Sequence, residues 1–419
     1  MKRRIVAVSL IVSLLFLITA CGNKDGMQAK NLMRDIKPSQ VNAEVSMNEQ
    51  QAQAIRNFSV ELFKESMEEG KNVLISPIAV LSALGMTANG AEGETLAQME
   101  AVFGMPVEEV NSCLQGYARQ GSLQEDVKLC VANSIWFKED KSFSVNREFL
   151  QKGADYYGAG IYQTIFDQAA LEDMNGWVSE NTGGMIKEFL EQIPEEALMY
   201  LISALTFDAQ WEDTYTDYQV REGTFTKEDG AQLSVDFMYS EEGRYLEDEN
   251  ARGFMKSYLN WNYAFVVLLP DEGVHVADYV ASLDGERVNT IIGNRRGGVI
   301  VEAALPKFDV EYDSQMQEVL TDMGITDAFD GTKADFSGIG GYENTNLAID
   351  DVLHKTYITV NEKGTMAGAA AAVTVCETSE EPADIEIQEV YLDRPFVYMI
   401  IDGNTNIPIF MGTVMEIEQ

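Results

Sequence analysis

The segment after Lys363 constrains the fold most, because it suits neither an ordinary core helix nor an ordinary loop. No lysine or arginine occurs between Lys363 and Arg394. The first part, Gly364 to Val375, consists mainly of small residues and ends in Val-Thr-Val. The second part, Glu377 to Glu389, carries six acidic residues and no basic one, which is typical of an exposed loop.

The small-residue run permits two interpretations. Alanine has the highest helix propensity, which favours a short alanine-rich helix, but Gly364 and Gly368 weaken it and the Val-Thr-Val end favours a strand. With a period of two, one face is entirely small or apolar and comprises Thr365, Ala367, Ala369, Ala371, Val373 and Val375. Such a face predicts a strand that can enter a packed sheet.

Elsewhere the chain divides into a helical beginning and an extended remainder. Apolar residues recur at helical spacing soon after Asn48, and a second helix is predicted from Ser76 and Pro77 onward. Six later segments are rich in β-branched or aromatic residues, namely Val127 to Phe137, Tyr263 to Leu269, Val299 to Leu305, Tyr357 to Val360, Phe396 to Ile401 and Ile409 to Met415. Because helices and strands do not alternate regularly, we expect an α+β domain with mostly antiparallel sheets.

The charge of the chain excludes one class of partner. Thirty Lys and Arg against 68 Asp and Glu give a net charge of −38. Such a surface repels nucleic-acid phosphates and anionic lipid headgroups, so we expect no nucleic-acid partner. The acidity suits the solvated surface of an exported protein.

The N-terminus predicts export. Lys2, Arg3 and Arg4 precede an apolar run from Ile5 to Ile18, which is too short for a comfortable membrane span. The junction Ile18-Thr19-Ala20-Cys21-Gly22 resembles the lipobox of bacterial lipoproteins, in which the cysteine thiol becomes lipidated. Ordinary cleavage beside an incidental cysteine is the alternative.

We therefore expect a signal peptide over residues 1–20, a lipid anchor on Cys21, and a cell-surface or extracellular location. Residues 21–47 are polar and lack aromatic residues, with Pro38 among them, which predicts a flexible tether. Folding is expected to begin near Asn48, with one domain over 48–419. Membrane contact would then arise only through the acyl chains of the anchor.

The sequence offers few candidate residues for a metal site or a catalytic site. Without Cys21, an odd number of cysteines remains, Cys113, Cys130 and Cys376, which does not indicate a disulfide framework. The two histidines, His275 and His354, lie in no Cys or His cluster, so we expect no metal and no cofactor. The chain also lacks the Gly-x-Ser-x-Gly elbow of many acyl hydrolases, which argues against an enzyme.

Several motifs in order resemble the serpin family. The hinge-like Glu362-Lys363-Gly364-Thr365 is followed by alanines, and Val390 to Ile400 is similar to the family's C-terminal signature. Further matching segments span the chain from about residue 50: Asn72 to Pro77, Phe207 to Trp211, Leu305 to Phe308, Ala334 to Gly338 and Pro408 to Gly412.

This resemblance implies a serpin fold of three β-sheets with eight or nine helices and an exposed reactive-centre loop, the bait loop, at about 362–394. It implies a monomeric suicide inhibitor: a serine protease cleaves the loop, and the freed hinge inserts into the large sheet and traps the acyl-enzyme. The implied hinge residues are Glu362, Gly364, Thr365, Ala367, Ala369 and Ala371.

The resemblance also implies two regions that control opening of the sheet. The shutter comprises Ser76, Ser203 and His354, and the breach contains Trp211. Two residues depart from the family pattern, because Ala79 stands where a second serine is usual and Ser203 where an asparagine is usual. Fewer hydrogen bonds there would ease sheet opening, unless the region is repacked. His354 is expected to be a buried structural residue.

Family spacing places the cleaved bond at Thr378-Ser379, sixteen residues beyond Glu362, with Val375-Cys376 and Cys376-Glu377 as alternatives. A small uncharged residue there favours elastase-like or subtilisin-like proteases. Two other functions remain open, a non-inhibitory serpin and a lipoprotein that binds a partner through its acidic surface. The hinge lacks the bulky, charged or proline residues that usually mark non-inhibitory members.

Overall fold

A computed structural model of the chain describes residues 27–39, 47–122, 127–184, 186, 190–194, 197–259, 261–342, 346–365 and 385–417. The expected signal peptide and the expected lipidation site Cys21 lie outside these residues. So do the hinge candidates Ala367, Ala369 and Ala371 and the candidate bond residues Val375, Cys376, Glu377, Thr378 and Ser379.

Nine α-helices occur among the described residues: α1 Glu49–Glu65, α2 Pro77–Ala88, α3 Gly93–Phe103, α4 Val107–Ser122, α5 Arg147–Lys152, α6 Gln168–Asn181, α7 Val276–Ala281, α8 Gly285–Gly293 and α9 Gln317–Asp322. The two predicted helices are confirmed as α1 and α2. Asn48 caps α1, accepting from the amide of Gln51, and Ser76 caps α2 ahead of Pro77.

The strands are β1 Lys30–Asn31, β2 Val73–Ile75, β3 Val127–Lys138, β4 Ser144–Val145, β5 Gly160–Thr164, β6 Met199–Gln210, β7 Val220–Thr226, β8 Gln232–Asp248, β9 Ala251–Ser257, β10 Tyr263–Pro270, β11 Arg296–Pro306, β12 Phe308–Gln315, β13 Gly340–Gly341, β14 Asp351–Val360, β15 Gly364–Thr365, β16 Glu386–Tyr391, β17 Phe396–Asp402 and β18 Pro408–Val414. All six predicted extended segments lie in strands, β3, β10, β11, β14, β17 and β18.

These strands form three sheets in the described part of the chain. The first has seven strands in the order β1-β5-β3-β6-β15-β14-β12, the second has nine strands, and β4 and β13 form a small third one. Most pairs are antiparallel, and the parallel pairs are β3 with β5, β6 with β14, and β11 with β16. The expected α+β class and the expected counts of sheets and helices are confirmed.

Helix α2 supports the centre of the first sheet. All of its residues from Pro77 to Ala88 are buried, as expected of a helix that is apolar all round. Its N-terminal cap Ser76 and the adjacent strand β2 meet strand β14, where Thr356 donates its hydroxyl hydrogen to the carbonyl of Leu74 (2.6 Å). The helix therefore supports the place where β6 and β14 meet.

Residues 27–39 correct the expectation of a flexible tether over 21–47. Strand β1 pairs antiparallel with β5 at the edge of the first sheet, with Lys30 opposite Gln163. The amides of Gln28 and Ala29 both donate to Asp173 Oδ2 of α6, at 2.8 and 2.7 Å. Ala29 is buried in a core cluster that includes Trp136. Hydrogen bonding and apolar contacts hold this segment against the domain, despite its polar composition.

The Asp173 carboxylate should hold this segment in place. We expect Asp173→Ala to remove both acceptor contacts and to expose the amides of Gln28, Ala29 and Leu32 to hydrogen exchange at least about tenfold faster, since each lost hydrogen bond contributes about 1 kcal/mol. Glu172→Ala is the matched control, because Glu172 is an exposed acid on the same helix. Equal protection of these amides from hydrogen exchange in both variants would contradict the role of Asp173 in holding the segment.

Candidate functional site

The hinge residues lie at a split in the first sheet. Strands β6 and β14 pair in parallel from Asp351 opposite Tyr200 to Thr356 opposite Leu205. Beyond this level β15 lies between them, with Thr365 opposite both Ala209 of β6 and Val360 of β14. The sheet is therefore open at this end, called the hinge end below, and closed towards Met199 and Asp351, the far end.

Glycine is required at position 364 because the backbones of two strands approach closely there. A Cβ atom on Gly364 would lie 2.1 Å from the carbonyl oxygen of Ala209, and the φ of Gly364 is +159°. Any larger residue would push β15 away from β6. The predicted hinge role of Gly364 thus has a steric basis.

Thr365 is already buried in the uncut chain. Its side chain is 1% exposed, and its Oγ1 lies 2.5 Å from the hydroxyl of Tyr258. Burial raises the pKa of Tyr258 far above its ordinary value, so the phenol stays protonated and available for this contact. The period-two pattern placed Thr365 on the inward face after cleavage. The structure places it inward before cleavage.

The turn that precedes β15 is held by backbone and indole donors. The Trp211 amide donates to the carbonyl of Lys363, and its indole Nε1 donates to the carbonyl of Asn361, both at 2.9 Å. The Tyr215 amide donates to the carbonyl of Glu362, also at 2.9 Å. Three successive carbonyls of the hinge turn are thus bound by two residues that follow β6.

Glu362 makes an ion pair at the surface. Its Oε1 accepts a hydrogen bond from Lys307 Nζ at 2.9 Å, and each side chain is about one-third exposed, at 35% and 33%. Burial alone would raise the pKa of Glu362, but the hydrogen bond and charge of Lys307 outweigh it and lower that pKa. A pair this exposed contributes on the order of 1 kcal/mol or less.

A buried charge pair underlies the residues that hold the hinge turn. Lys256 and Glu242, 3% and 11% exposed, form a hydrogen bond of 2.8 Å. The Lys256 ammonium also lies 4.5 Å from the ring centroid of Tyr215 and 5.8 Å from that of Trp211. On its other side the Trp211 ring stacks on Tyr258 with a centroid distance of 4.6 Å. Both aromatic rings behind the hinge turn are therefore fixed by neighbours.

The shutter residues meet below the split. His354 of β14 is fully buried, and its Nε2 accepts a hydrogen bond from the Ser76 amide at 3.0 Å. Burial lowers the pKa of His354 to about 4, against a smaller opposing effect of a hydrogen bond with the Ser203 backbone. His354 is therefore neutral at physiological pH, as a hydrogen-bond acceptor must be.

The two departures from the family pattern leave the shutter short of polar contacts. Ser203 stands opposite His354 on one side and Asn133 on the other. Within the described residues, neither Ser203 Oγ nor Asn133 Oδ1 has a hydrogen-bond partner. Ala79 is buried and contributes only its amide, which donates to Ser76 Oγ at 3.4 Å. Unpaired buried groups of this kind cost free energy.

The structure brings the predicted residues together in two clusters. Glu362, Gly364, Thr365 and Trp211 meet at the hinge end, and Ser76, Ser203 and His354 meet in the closed part of the sheet. Sequence reasoning missed Tyr215, Tyr258 and the Lys256–Glu242 pair. The one available signal was the lysine in the otherwise uncharged strand segment Gly253 to Ser257.

The described part of the chain contains neither a metal-binding cluster nor a membrane-spanning helix. No group of three or more His, Cys, Asp or Glu side chains there is arranged to hold a metal ion. None of the helices described is both long enough and apolar enough to cross a bilayer.

Comparison with known proteins identifies relatives over nearly the whole domain. The family described as Serpin (serine protease inhibitor) matches residues 53–417. An uncharacterized serpin-like protein of Thermococcus kodakarensis is 30% identical over 375 residues, which are 87% of this chain and 85% of the relative. The native state of the thermophilic serpin tengpin is 44% identical, with a TM-score of 0.88 over 93% of this chain and all of that chain. The latent state of tengpin is also 44% identical, with a TM-score of 0.79 over 90% of this chain and all of the tengpin chain.

The buried charge pair gives a stability prediction. Lys256→Met should lower the free energy of unfolding by about 3–5 kcal/mol, because it leaves the Glu242 carboxylate buried and uncompensated. The double variant Lys256→Met with Glu242→Gln should recover much of this loss, since the amide stays neutral and still accepts from Ser240. Thermal unfolding midpoints measure both effects. A single variant as stable as the wild type would show that the pair does not support the hinge end.

The shifted pKa of His354 gives a pH prediction. Because this pKa is lower in the folded state than the ordinary value of 6.5, its contribution is complete above pH 6.5 and is lost as the pH falls towards about 4. The loss amounts to about 3 kcal/mol. Burial raises the pKa of Asp351 to about 6, which acts in the opposite sense over the same range.

We therefore compare the pH dependence of the unfolding midpoint between the wild type and a variant, rather than the slope for the wild type alone. In His354→Gln the amide oxygen still accepts from Ser76, but the titratable group is gone. The unfolding midpoint of this variant should fall less steeply between pH 6.5 and pH 4 than that of the wild type. If the unfolding midpoints of the two proteins fell in parallel with pH, His354 would be excluded as the source of the pH dependence.

Proposed function

The chain belongs to the serpin family, whose members are generally protease inhibitors rather than enzymes, and we propose that it traps serine proteases by inserting its cut bait loop into the first sheet. One observation carries the proposal. Strand β15 already lies between β6 and β14 at the hinge end, while the two strands remain paired beyond it. A freed loop needs only to extend a strand whose first two residues are in place.

The register of β15 supports insertion along the whole sheet. Gly364 pairs with Gln210 and Thr365 with Ala209 in antiparallel fashion. Continued in this register after cleavage, the loop would bring Ala371 between Ser203 and His354, and Val375 opposite Met199, where β6 begins. The side chains that would face inward are the small ones of the period-two pattern, which fit a packed sheet without new cavities or clashes.

This register also bears on the cleaved bond. A cut after Thr378 frees enough chain to fill β6 completely and leaves three residues to span the distance to the attached protease, 378 − 375 = 3. A cut after Val375 would leave no residue for this span, and a cut after Cys376 would leave one. We therefore keep Thr378-Ser379 as the proposed bond, with an elastase-like or subtilisin-like protease as the target, because a small uncharged residue fits a shallow apolar pocket.

We also propose that the protein is exported and held at the cell surface by lipid on Cys21. The support is the N-terminal sequence, in which a basic start and a short apolar run end at Ala20-Cys21. Residues 1–20 would be removed as the signal peptide. The acyl chains would provide membrane affinity in proportion to their buried methylene groups.

The hinge residue Ala367 provides the functional test, because Thr365 is already buried before cleavage. Incubation of the wild type with an elastase-like protease should give a covalent complex that survives denaturing electrophoresis, together with a released C-terminal peptide that begins at Ser379. Ala367→Arg, at the next inward position of the period-two pattern, should instead be cleaved at the same bond and release active protease. Burying an unpaired arginine costs roughly 3 kcal/mol or more. Since roughly 1.4 kcal/mol on a barrier slows a step tenfold, the stoichiometry of inhibition should rise at least tenfold.

Two controls keep this test specific. Met366→Arg places the same charge on the opposite face of the period-two pattern and should be better tolerated. Trypsin should not be trapped, because no Lys or Arg occurs from Gly364 to Asp393. One-to-one trapping by Ala367→Arg would exclude loop insertion. Cleavage of the wild type without any covalent complex would favour a non-inhibitory serpin or a surface-binding lipoprotein.

The anchor has its own test. Cys21→Ala should abolish incorporation of labelled fatty acid and move the protein from the membrane fraction to the soluble fraction, since no other acylation site is proposed. Protease inhibition by the soluble variant should be unchanged. Unaltered membrane partitioning of this variant would count against the anchor.

A further inference from the structure

The N-terminal segment fixes which part of the domain would lie next to a membrane. We infer that the corner formed by β1, the end of β5 and helix α6 faces the lipid surface, and that β1 sets the distance between them. This inference rests on the proposed lipid anchor at Cys21. It adds an orientation of the domain, which the anchor alone does not imply.

Strand pairing places this corner at the far end of the first sheet. Lys138 of β3 pairs with Thr164 of β5, and β3 ends beside Met199, where β6 begins. Since Lys30 pairs with Gln163 and Asn31 with Tyr162, the chain before Lys30 runs towards the far end. Val127, at the other end of β3, pairs with Ala209 beside the hinge. The chain therefore leaves the domain at the end opposite the bait loop.

Chain length then restricts the anchor to this corner. Six residue steps separate Cys21 from Met27, which span at most about 22 Å when fully extended. Strand β6, with its 12 residues, is about 36 Å long and measures the distance between the two ends of the sheet. The lipid-bearing residue thus cannot reach the hinge end, which lies away from the membrane.

The exposed surface of this corner includes one basic and one apolar side chain, Lys30 of β1 and Ile165 just beyond β5. The two other exposed basic residues of the segment, Arg34 and Lys37, lie beyond β1 in the direction away from the far end. The orientation therefore depends on the direction and the length of the chain, not on its charge.

Strand β1 shortens the link between the lipid and the domain and thereby fixes the orientation of the domain. With β1 paired and the Asp173 carboxylate bound to the amides of Gln28 and Ala29, only the residues before Met27 link the lipid to the domain. Without these contacts the link would extend to Lys37, whose carbonyl accepts from Gln151 Nε2 at 2.8 Å. This is 16 residue steps from Cys21 and would span up to about 58 Å. A link of that length exceeds the length of β6 and would no longer fix the orientation of the domain.

The experiment measures energy transfer from labelled positions to the membrane surface. The lipidated full chain, with Cys130→Ala and Cys376→Ser, is reconstituted in phosphatidylethanolamine–phosphatidylglycerol vesicles that contain a headgroup-labelled acceptor lipid. Donor dyes are attached at Ile165→Cys, at the corner, or at Tyr218→Cys, three residues beyond Tyr215 at the hinge end. The native side chains at these positions are 60% and 88% exposed. Cys113 remains, because it is buried and burial raises the pKa of its thiol to about 11.

We expect transfer from position 165 to exceed transfer from position 218 at least about twofold, because the two ends differ in height by most of the length of β6. Asp173→Ala should reduce this difference, whereas Glu172→Ala, which removes the same charge from an exposed site, should preserve it. Equal transfer from both positions in vesicle-bound protein, or stronger transfer from 218, would overturn the orientation and leave the anchor intact. Failure of the lipidated chain to bind vesicles would overturn both.

Discussion

The structure depends on the six parallel pairs that join β6 and β14, from Asp351 opposite Tyr200 to Thr356 opposite Leu205. These pairs keep the first sheet closed while Gly364 and Thr365 occupy its open end. A strand inserted between β6 and β14 would replace these pairs, because it would offer both strands new backbone hydrogen-bond partners along their whole length. Under the proposed mechanism, the closed state would persist only while the bait loop remains uncut.

What holds the open end is a layer of aromatic residues with a buried charge pair behind it. Trp211 and Tyr215 bind the three carbonyls of residues 361–363, so the direction of the hinge is set before any protease arrives. Lys256 and Glu242 fix these rings from within. At the shutter, by contrast, Ser203 Oγ and Asn133 Oδ1 have no hydrogen-bond partner in the described residues, so these two atoms add nothing to the backbone pairs that oppose separation of the strands there.

Local patterns in the sequence were sufficient for the elements and for part of the site. Period-two alternation identified the inward position of Thr365, and β-branched runs identified strands such as β10 and β17, because both signals depend on neighbouring residues alone. The Lys256–Glu242 pair could not be predicted, since it joins strands that only the sheet topology brings together. The tether was misjudged because Asp173, 144 residues away, supplies the acceptor that orders Ala29.

The proposed metastability of the closed sheet can be measured as heat resistance. The intact protein and the protein cut at the bait loop have the same side chains, so any difference in their thermal unfolding midpoints reports the gain from inserting the loop. We expect the cut form to unfold at a markedly higher temperature, because β6 and β14 would each gain a full-length neighbour. An unchanged or lower midpoint after cleavage would show that the sheet does not accept the loop.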